Sequence, residues 1–211
     1  MLASEAIALL RQTELKQLSQ TSITDTIILG YLNEAILELH KRFNIWQDSC
    51  IVTHVDGVQT YTLDGVDPNT DIDLSNKILL VISEAWDYNG DELSLNVEDD
   101  PYGAVTPKYN ILEFPPDGVV ADQDFSVVFR AAPIDMTDVG DPIDLTPVLF
   151  GAMYFYVGFR AHVSQKGLED LENNTHYKRY LGECNRVERL GLVVAESVVA
   201  HKFDGLTYPW P

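Results

Sequence analysis

The period of the hydrophobic residues changes twice along this chain, and that change sets the order in which secondary structure must appear. Apolar side chains recur every three or four positions up to Ile45, alternate after Trp46, and return to helical spacing beyond residue 145. A pattern with a period near 3.6 cannot bury its apolar face as a strand, nor a period of two as a helix. The expected order is helices, strands, helices and then a tail with no period.

In the first block, Leu2, Ala6, Leu9, Leu10 and Leu18 lie at roughly helical spacing, with Ser4 placed to cap an early turn. After the polar break at 19–25, Thr24 or Asp25 opens a second helix. Its apolar stripe is Ile28, Tyr31, Leu32, Ala35, Ile36, Leu39 and Phe43, and Lys41 and Arg42 suit its C-terminal dipole. In the middle block, Val58–Leu63 alternates between two Asp-Gly pairs. The run 78–88 ends in Asn89-Gly90, a hairpin signal, with Leu93–Val97 returning. Residues 109–114 and 125–132 are expected to pair across Pro115-Pro116-Asp117-Gly118. In the third block, Pro147 sits where a first-turn proline belongs, capped by Asp144 or Thr146. Residues 148–163 are apolar almost all round, which requires burial on several sides. A last helix over 170–196 steps through Tyr177, Tyr180, Cys184, Val187, Gly191 and Val194.

The fold class expected is α+β: a four-helix bundle with an inserted antiparallel β domain and an extended C-terminal tail. The segments are 1–45 and 145–196, the two helical hairpins of the bundle; 46–144, the β insert; and 197–211, the tail.

Charge is distributed as unevenly as period. The net charge of −19 comes almost wholly from residues 45–144, which hold 21 acidic side chains and only Lys77, Lys108 and Arg130 as basic ones. Such a field repels phosphate, so binding nucleic acid by charge neutralisation is not expected. The start lacks a basic leader with a small-residue cleavage site. The longest apolar run, Val148–Phe159, is 12 residues, short of the roughly 20 that cross a bilayer. With Cys50 and Cys184 as its two cysteines, the chain is expected to be soluble, with reduced thiols in a reducing compartment.

Motifs for chemistry are sparse. His40, His54, His162, His176 and His201 never form a His-Glu-x-x-His pair, and His162 and His176, flanking the last interhelical loop, are expected in surface or capping roles. The acidic loop Asp67, Asp71 and Asp73 lacks the glycine and bidentate glutamate of an EF-hand. Glu98, Asp99 and Asp100 are paired acids of the kind glycoside hydrolysis uses, but 33 acids supply such pairs by chance. Nucleotide-loop and serine-hydrolase signatures are missing. The expectation is a non-enzyme with no cofactor and no metal, in which Cys184 is a core residue. The alternatives are a cell-envelope glycoside hydrolase acting through the β-block acids, or an accessory binding module.

Two features point to assembly. The tail carries Phe203, Leu206, Tyr208, Pro209 and Trp210 with little charge, a composition suited to anchoring in another protein's groove. The all-round apolar helix offers Phe150, Tyr154, Phe155 and Phe159 to a neighbouring subunit.

Three stretches carry a resemblance over nearly the whole chain: Tyr31-Leu-Asn-Glu-Ala-Ile-Leu-Glu-Leu-His-Lys-Arg-Phe43 leading into Trp46; Phe125-Ser-Val-Val-Phe-Arg-Ala-Ala-Pro133; and Asp144-Leu-Thr-Pro147 with its helix, followed by His176-Tyr-Lys-Arg-Tyr-Leu181. Together they resemble the head-to-tail adaptor proteins of short-tailed bacteriophages (connector, head-completion or tail tubular A-like proteins). The resemblance implies a homo-oligomeric ring of about twelve copies beneath the portal ring. It implies contacts with the portal protein and with tail nozzle or fibre proteins, and passage of genomic DNA without specific binding or membrane contact. The site would be the head–tail junction of a virion assembled in host cytoplasm. An acidic block lining the channel would let DNA slide, and one facing outward would meet a basic tail surface. The carbohydrate-degrading activity credited to some relatives has no motif that transfers here.

Overall fold

The computed structural model describes residues 1–63, 69, 79–87, 89–97, 100, 103–114, 123–166 and 174–193. The chain is α+β and divides into two compact units, Met1–Ile45 with Asp135–Pro211, and Trp46–Ile134.

The first unit is helical. Helix α1, Ala3–Gln12, buries Ala3, Ala6, Ile7 and Leu10. Leu2 and Leu9, expected on this stripe, are 42% exposed, because the packed face is set by Ala3 and Ile7. The cap is also not Ser4: Leu2 occupies that position, and its N–H donates to the Glu5 carboxylate at 2.9 Å. Helix α2, Asp25–Arg42, starts as expected, with the Thr24 hydroxyl accepting from Ile27 N–H. It buries Ile28, Leu32, Ala35, Ile36 and Leu39, and Phe43 follows them into the core. A single 3-10 turn, Pro147–Leu149, leads into α3, Phe150–Lys166.

Helix α4 runs Thr175–Arg189, shorter than the expected 170–196. The Asn174 side chain accepts from His176 and Tyr177 N–H and fixes its start. Gly191, at φ +62°, takes the left-handed conformation that ends a helix, and its N–H donates to Glu188 O. Residues 170–173 and 194–196 lie outside the described residues.

Residues 135–144, expected with the strands, belong to the helical unit. Ala3 N–H donates to Asp141 O, Ser4 N–H to Val139 O, and Ile143 N–H to Met1 O, so this segment runs along the start of α1. Ile143 and Leu145 join the helical core there.

The second unit holds two antiparallel sheets. The larger has the order β1-β7-β3-β4, from β1 (Gln47–Thr53), β7 (Asp124–Ala131), β3 (Leu79–Trp86) and β4 (Glu92–Leu93). The smaller is β2-β6-β5, from β2 (Thr60–Thr62), β6 (Ile111–Glu113) and β5 (Val105–Lys108). Both contribute to one core, in which Tyr61, Leu63, Leu112 and Phe114 join Val52, Ile82, Phe125, Val127 and Phe129. The Phe114 and Phe125 rings lie 4.8 Å apart between centroids. The Asn89-Gly90 hairpin forms, with Ala85 opposite Leu93 and Gly90 at φ +83° in its turn, but its return strand is Glu92–Leu93 rather than the expected 93–97. The 109–114 and 125–132 runs do not pair with each other: β6 lies between β2 and β5, and β7 between β1 and β3. Strand β6 pairs with its immediate neighbour β5 across Tyr109-Asn110 and with β2, while the partners of β7, β1 and β3, are distant in sequence.

Each unit carries one buried thiol, Cys50 in the β unit and Cys184 in the helical unit. Burial pushes the Cys184 thiol up to about 11, against the opposing pull of Arg42. At pH 8 the native chain should therefore leave both thiols unmodified by a disulfide reagent, while denaturant releases two. Single Cys→Ala variants then report the opening of each unit separately. Rapid native-state labelling at Cys184 would show that the helical core does not close around it.

Candidate interaction surface

Helix α3 has three stripes, and none of its residues from Phe150 to Val163 is fully exposed. Ala152, Met153, Val157 and Ala161 recur at helical spacing and are wholly buried in the helical core. A second stripe, Tyr156, Phe159, Arg160 and Val163, lines a groove of about 620 Å³ with Glu38, Lys41 and Arg42 of α2 and Tyr177, Tyr180 and Leu181 of α4. The third stripe is Phe150 and Tyr154, half-buried against the edge of the core, as is Phe155 further round the helix. Close helix approach is possible because α3 has no side chain at two contact points. A Cβ on Gly151 would lie 3.1 Å from the Glu183 carboxylate, and one on Gly158 would lie 2.9 Å from His176 Nδ1.

The groove mixes aromatic rings with three cations, a set that invites an anionic ligand. Its cations are already matched. Arg160 pairs with Glu34 at 2.7 Å, Lys41 with Glu38 at 2.7 Å, and Arg42 with Glu188 at 2.8 Å and with Asn185 Oδ1 at 2.8 Å. Burial raises the Tyr156 and Tyr180 hydroxyls above the ordinary phenol value, which keeps them neutral. The groove reads as an internal seam between helices held by ion pairs.

Of the residues expected at a subunit interface, Phe150 and Tyr154 share one side of α3, and Phe155 lies about 100° round the helix from Tyr154, toward α4. The rings of Phe150 and Tyr154 are 6.5 Å apart, the Tyr154 hydroxyl donates to Met1 Sδ at 3.3 Å, and the Arg179 guanidinium lies 5.1 Å from the centre of the Phe155 ring. Phe159 departs from that expectation. It is 6% exposed, enclosed by Tyr156 and by Tyr177 at 5.0 Å, and belongs to the chain's own interior. Met1, Leu2 and Val139 are exposed apolar residues that the sequence pattern did not mark as a surface. The signal was Leu2 lying off the buried stripe of α1. The tail residues Phe203, Leu206, Tyr208, Pro209 and Trp210 lie outside the described residues.

The Leu32-Asn33-Glu34-Ala35 motif has a separate structural use for each position. Leu32 and Ala35 are fully buried and Glu34 pairs with Arg160. Asn33 donates to Met136 O at 2.9 Å and accepts from Met136 N–H at 3.0 Å, so one amide side chain satisfies both polar groups of a backbone residue in another segment.

Candidate chemistry from the sequence is dispersed. Asp100 accepts a short hydrogen bond from the Ser94 hydroxyl, and Glu98, Asp99, Asp67, Asp71, Asp73 and His201 lie outside the described residues. His54 is buried in an aromatic box with Tyr61, Phe114 and Phe125, its Nδ1 3.0 Å from the Tyr61 hydroxyl, and desolvation lowers its pKa. Among the described residues no group of three or more His, Cys, Asp or Glu is placed to hold a metal ion, and no helix is long and apolar enough to cross a membrane. No protein-family model matches the chain, and no curated protein matches it.

Replacing Asn33 with Ala should cost roughly 1–3 kcal/mol, because both backbone groups of Met136 lose their partner in a half-buried place. Urea unfolding should show a lower midpoint with an unchanged slope. A midpoint equal to the parent's would mean that the clamp contributes nothing.

Proposed function

We propose that this chain is a structural adaptor of a bacteriophage virion, one subunit of a ring that joins the portal to the tail and continues the DNA channel. The observation that carries the reading is the third stripe of α3. Phe150 and Tyr154 lie together, half-buried, with Tyr154 against exposed Met1 near Leu2 and Val139, and Phe155 is half-buried further round the helix beneath Arg179. A helix with no polar face gains most by being covered, and a contiguous apolar surface of this kind is characteristic of an association site. In the proposed subunit the four helices form a bundle that builds the ring body. One copy's aromatic stripe meets a different surface of the next, the head-to-tail geometry that closes into rings. The resemblance in element order, with the strands inserted between α2 and α3, supports the same reading. So does the confinement of acidity to residues 45–144, which suits a protein past which DNA moves without sticking. The aromatic and proline residues of the tail, Phe203 to Trp210, are assigned to portal contact.

Light scattering after size exclusion, with the purified chain alone and mixed with portal ring, tests this directly. The expected result is a ring-sized assembly or a stable complex with the portal, and a monomer in both samples would count against the proposal. Phe155→Glu and Tyr154→Glu should each shift the assembly towards monomer while leaving the circular dichroism spectrum intact. Deleting residues 203–211 should abolish portal attachment without unfolding the chain, and unchanged attachment would remove the tail from the interface.

A further inference from the structure

Three elements of the helical unit meet around two stacked imidazoles. His162 of α3 lies against His176, in the first turn of α4, with ring centroids 4.5 Å apart and planes 16° from parallel. Glu14, in the turn after α1, closes the third side. Its Oε2 is 2.8 Å from His176 Nδ1, and its backbone carbonyl oxygen is 3.1 Å from His162 Nε2. Arg179, one turn further along α4, approaches the same Oε2 at 3.6 Å. Gly158 makes room for this meeting, since a Cβ there would sit 2.9 Å from His176 Nδ1 and 3.2 Å from Glu14 Cβ. The two histidines expected in surface or capping roles are therefore half-buried partners across a helix–helix contact.

The distances assign protons. The His176 Nδ1 contact with the Glu14 carboxylate is not aligned as a hydrogen bond, but two lone pairs at 2.8 Å repel, so a proton on that nitrogen is the favoured arrangement, as it is on His162 Nε2 facing a carbonyl oxygen. Each ring thus turns one proton towards Glu14, and while neither ring carries a second proton the two stack without penalty. A second proton on one ring gives an imidazolium beside a carboxylate. Second protons on both rings place two like charges face to face with the Arg179 guanidinium at their side, against the one carboxylate of Glu14.

We propose that His162, His176 and Glu14 form an acid-release clasp, which ties α3, α4 and the turn after α1 together near neutral pH and opens when both imidazoles become charged. Among the described residues the charged and titratable groups that meet His176 are His162 from α3, Glu14 from the turn and Arg179 from its own helix. Burial and His162 hold His176 below the ordinary imidazole value, and Glu14 opposes them. The sign follows from linkage. The unfolded chain binds the proton more readily than the folded one. The clasp's contribution is therefore whole above the unfolded-state value of about 6.5 and is lost as pH falls from there through the folded-state value.

The test is imidazole titration by NMR in the full-length chain, with thermal unfolding and amide exchange at pH 8 and pH 5.5. The clasp requires His176 to titrate below the ordinary imidazole value and to move upward in H162Q. It also requires the parent to lose more Tm than H162Q between the two pH values, and several-fold more amide protection over 175–178. A His176 midpoint at or above the ordinary value that H162Q leaves in place overturns it, as does an equal loss of Tm in the two proteins. E14Q supplies an independent reading should H162Q fail to fold. Loss of the carboxylate must lower the His176 midpoint further, and a rise or no change contradicts the clasp.

Discussion

The helical unit can close only because the inserted strands return the chain to where it left. Strand β1 begins directly after α2, and β7 ends just before the helical unit resumes; the two lie side by side antiparallel, with Gln47 opposite Arg130 and Ala131 N–H donating to Trp46 O. A flexible connection as long as residues 46–134 would cost about 4 kcal/mol of closure entropy before any helix packed. Pairing the first and last strands of the insert offsets that cost within the β unit itself. Asn33 then secures the returning chain at Met136, immediately beyond the insert. Residues 135–145 can consequently lie along α1 and bring Pro147 to the start of α3.

Once closure is achieved, α3 becomes the helix on which the others depend. It packs on both α2 and α4. Its contact faces combine wholly buried Ala152, Met153, Val157 and Ala161 with two glycines that admit Glu183 and His176 from α4. Small residues at such points bring helix axes close, and the dispersion gained over the shared surface grows accordingly. The same closeness puts Glu14, His162, His176 and Arg179 into one cluster and leaves Arg160 to balance Glu34 across the α2–α3 seam. An apolar helix with two sides occupied in this way still has Phe150, Tyr154 and Phe155 left over.

The sequence made legible what depends on local period. The α2 stripe, the proline that opens the segment before α3, and the Asn89-Gly90 hairpin each rest on residues within one turn or one strand of each other. What escaped depends on partners far apart in the chain. Strand β1 has only Cys50 and Val52 buried, with Ile51 exposed between them, so its alternation was too weak to mark it. The sequence placed β6 opposite β7, but β6 takes its nearer neighbour β5 together with β2, and β7 is central in its sheet between β1 and β3. Helix α4 was drawn too long because a hydrophobic period runs on through Gly191, where backbone conformation, not side-chain pattern, ends the helix. Phe159, expected at a subunit interface, differs for another reason. On a helix apolar on every side, period carries no information about which side faces the core, and only the positions of Tyr156 and Tyr177 decide it. The stacked histidines were likewise invisible as a pair, since nothing in the spacing of 162 and 176 specifies a contact through Glu14.

The division of charge between the two units bears on where association can occur. A β unit with two sheets offers edges that invite pairing with other chains. Here β4 is two residues long, and β5 carries Pro107, which has no N–H to offer, while the Asn96 side chain occupies Thr106 N–H at 2.8 Å. Residues 46–134 carry 17 acidic and three basic side chains, which adds like-charge repulsion between the β units of two copies. The helical unit carries a smaller excess: residues 1–45 have four basic and five acidic side chains, residues 145–211 seven of each, and residues 135–144 add Asp135, Asp138, Asp141 and Asp144. Two copies approaching through their β units are repelled and find those two edges blocked. Two copies approaching through the helical unit meet less repulsion and the aromatic side chains Phe150 and Tyr154. In the proposed ring, repulsion between β units and the protected edges β4 and β5 favour contact through the helices, while β1 remains an edge strand of its sheet.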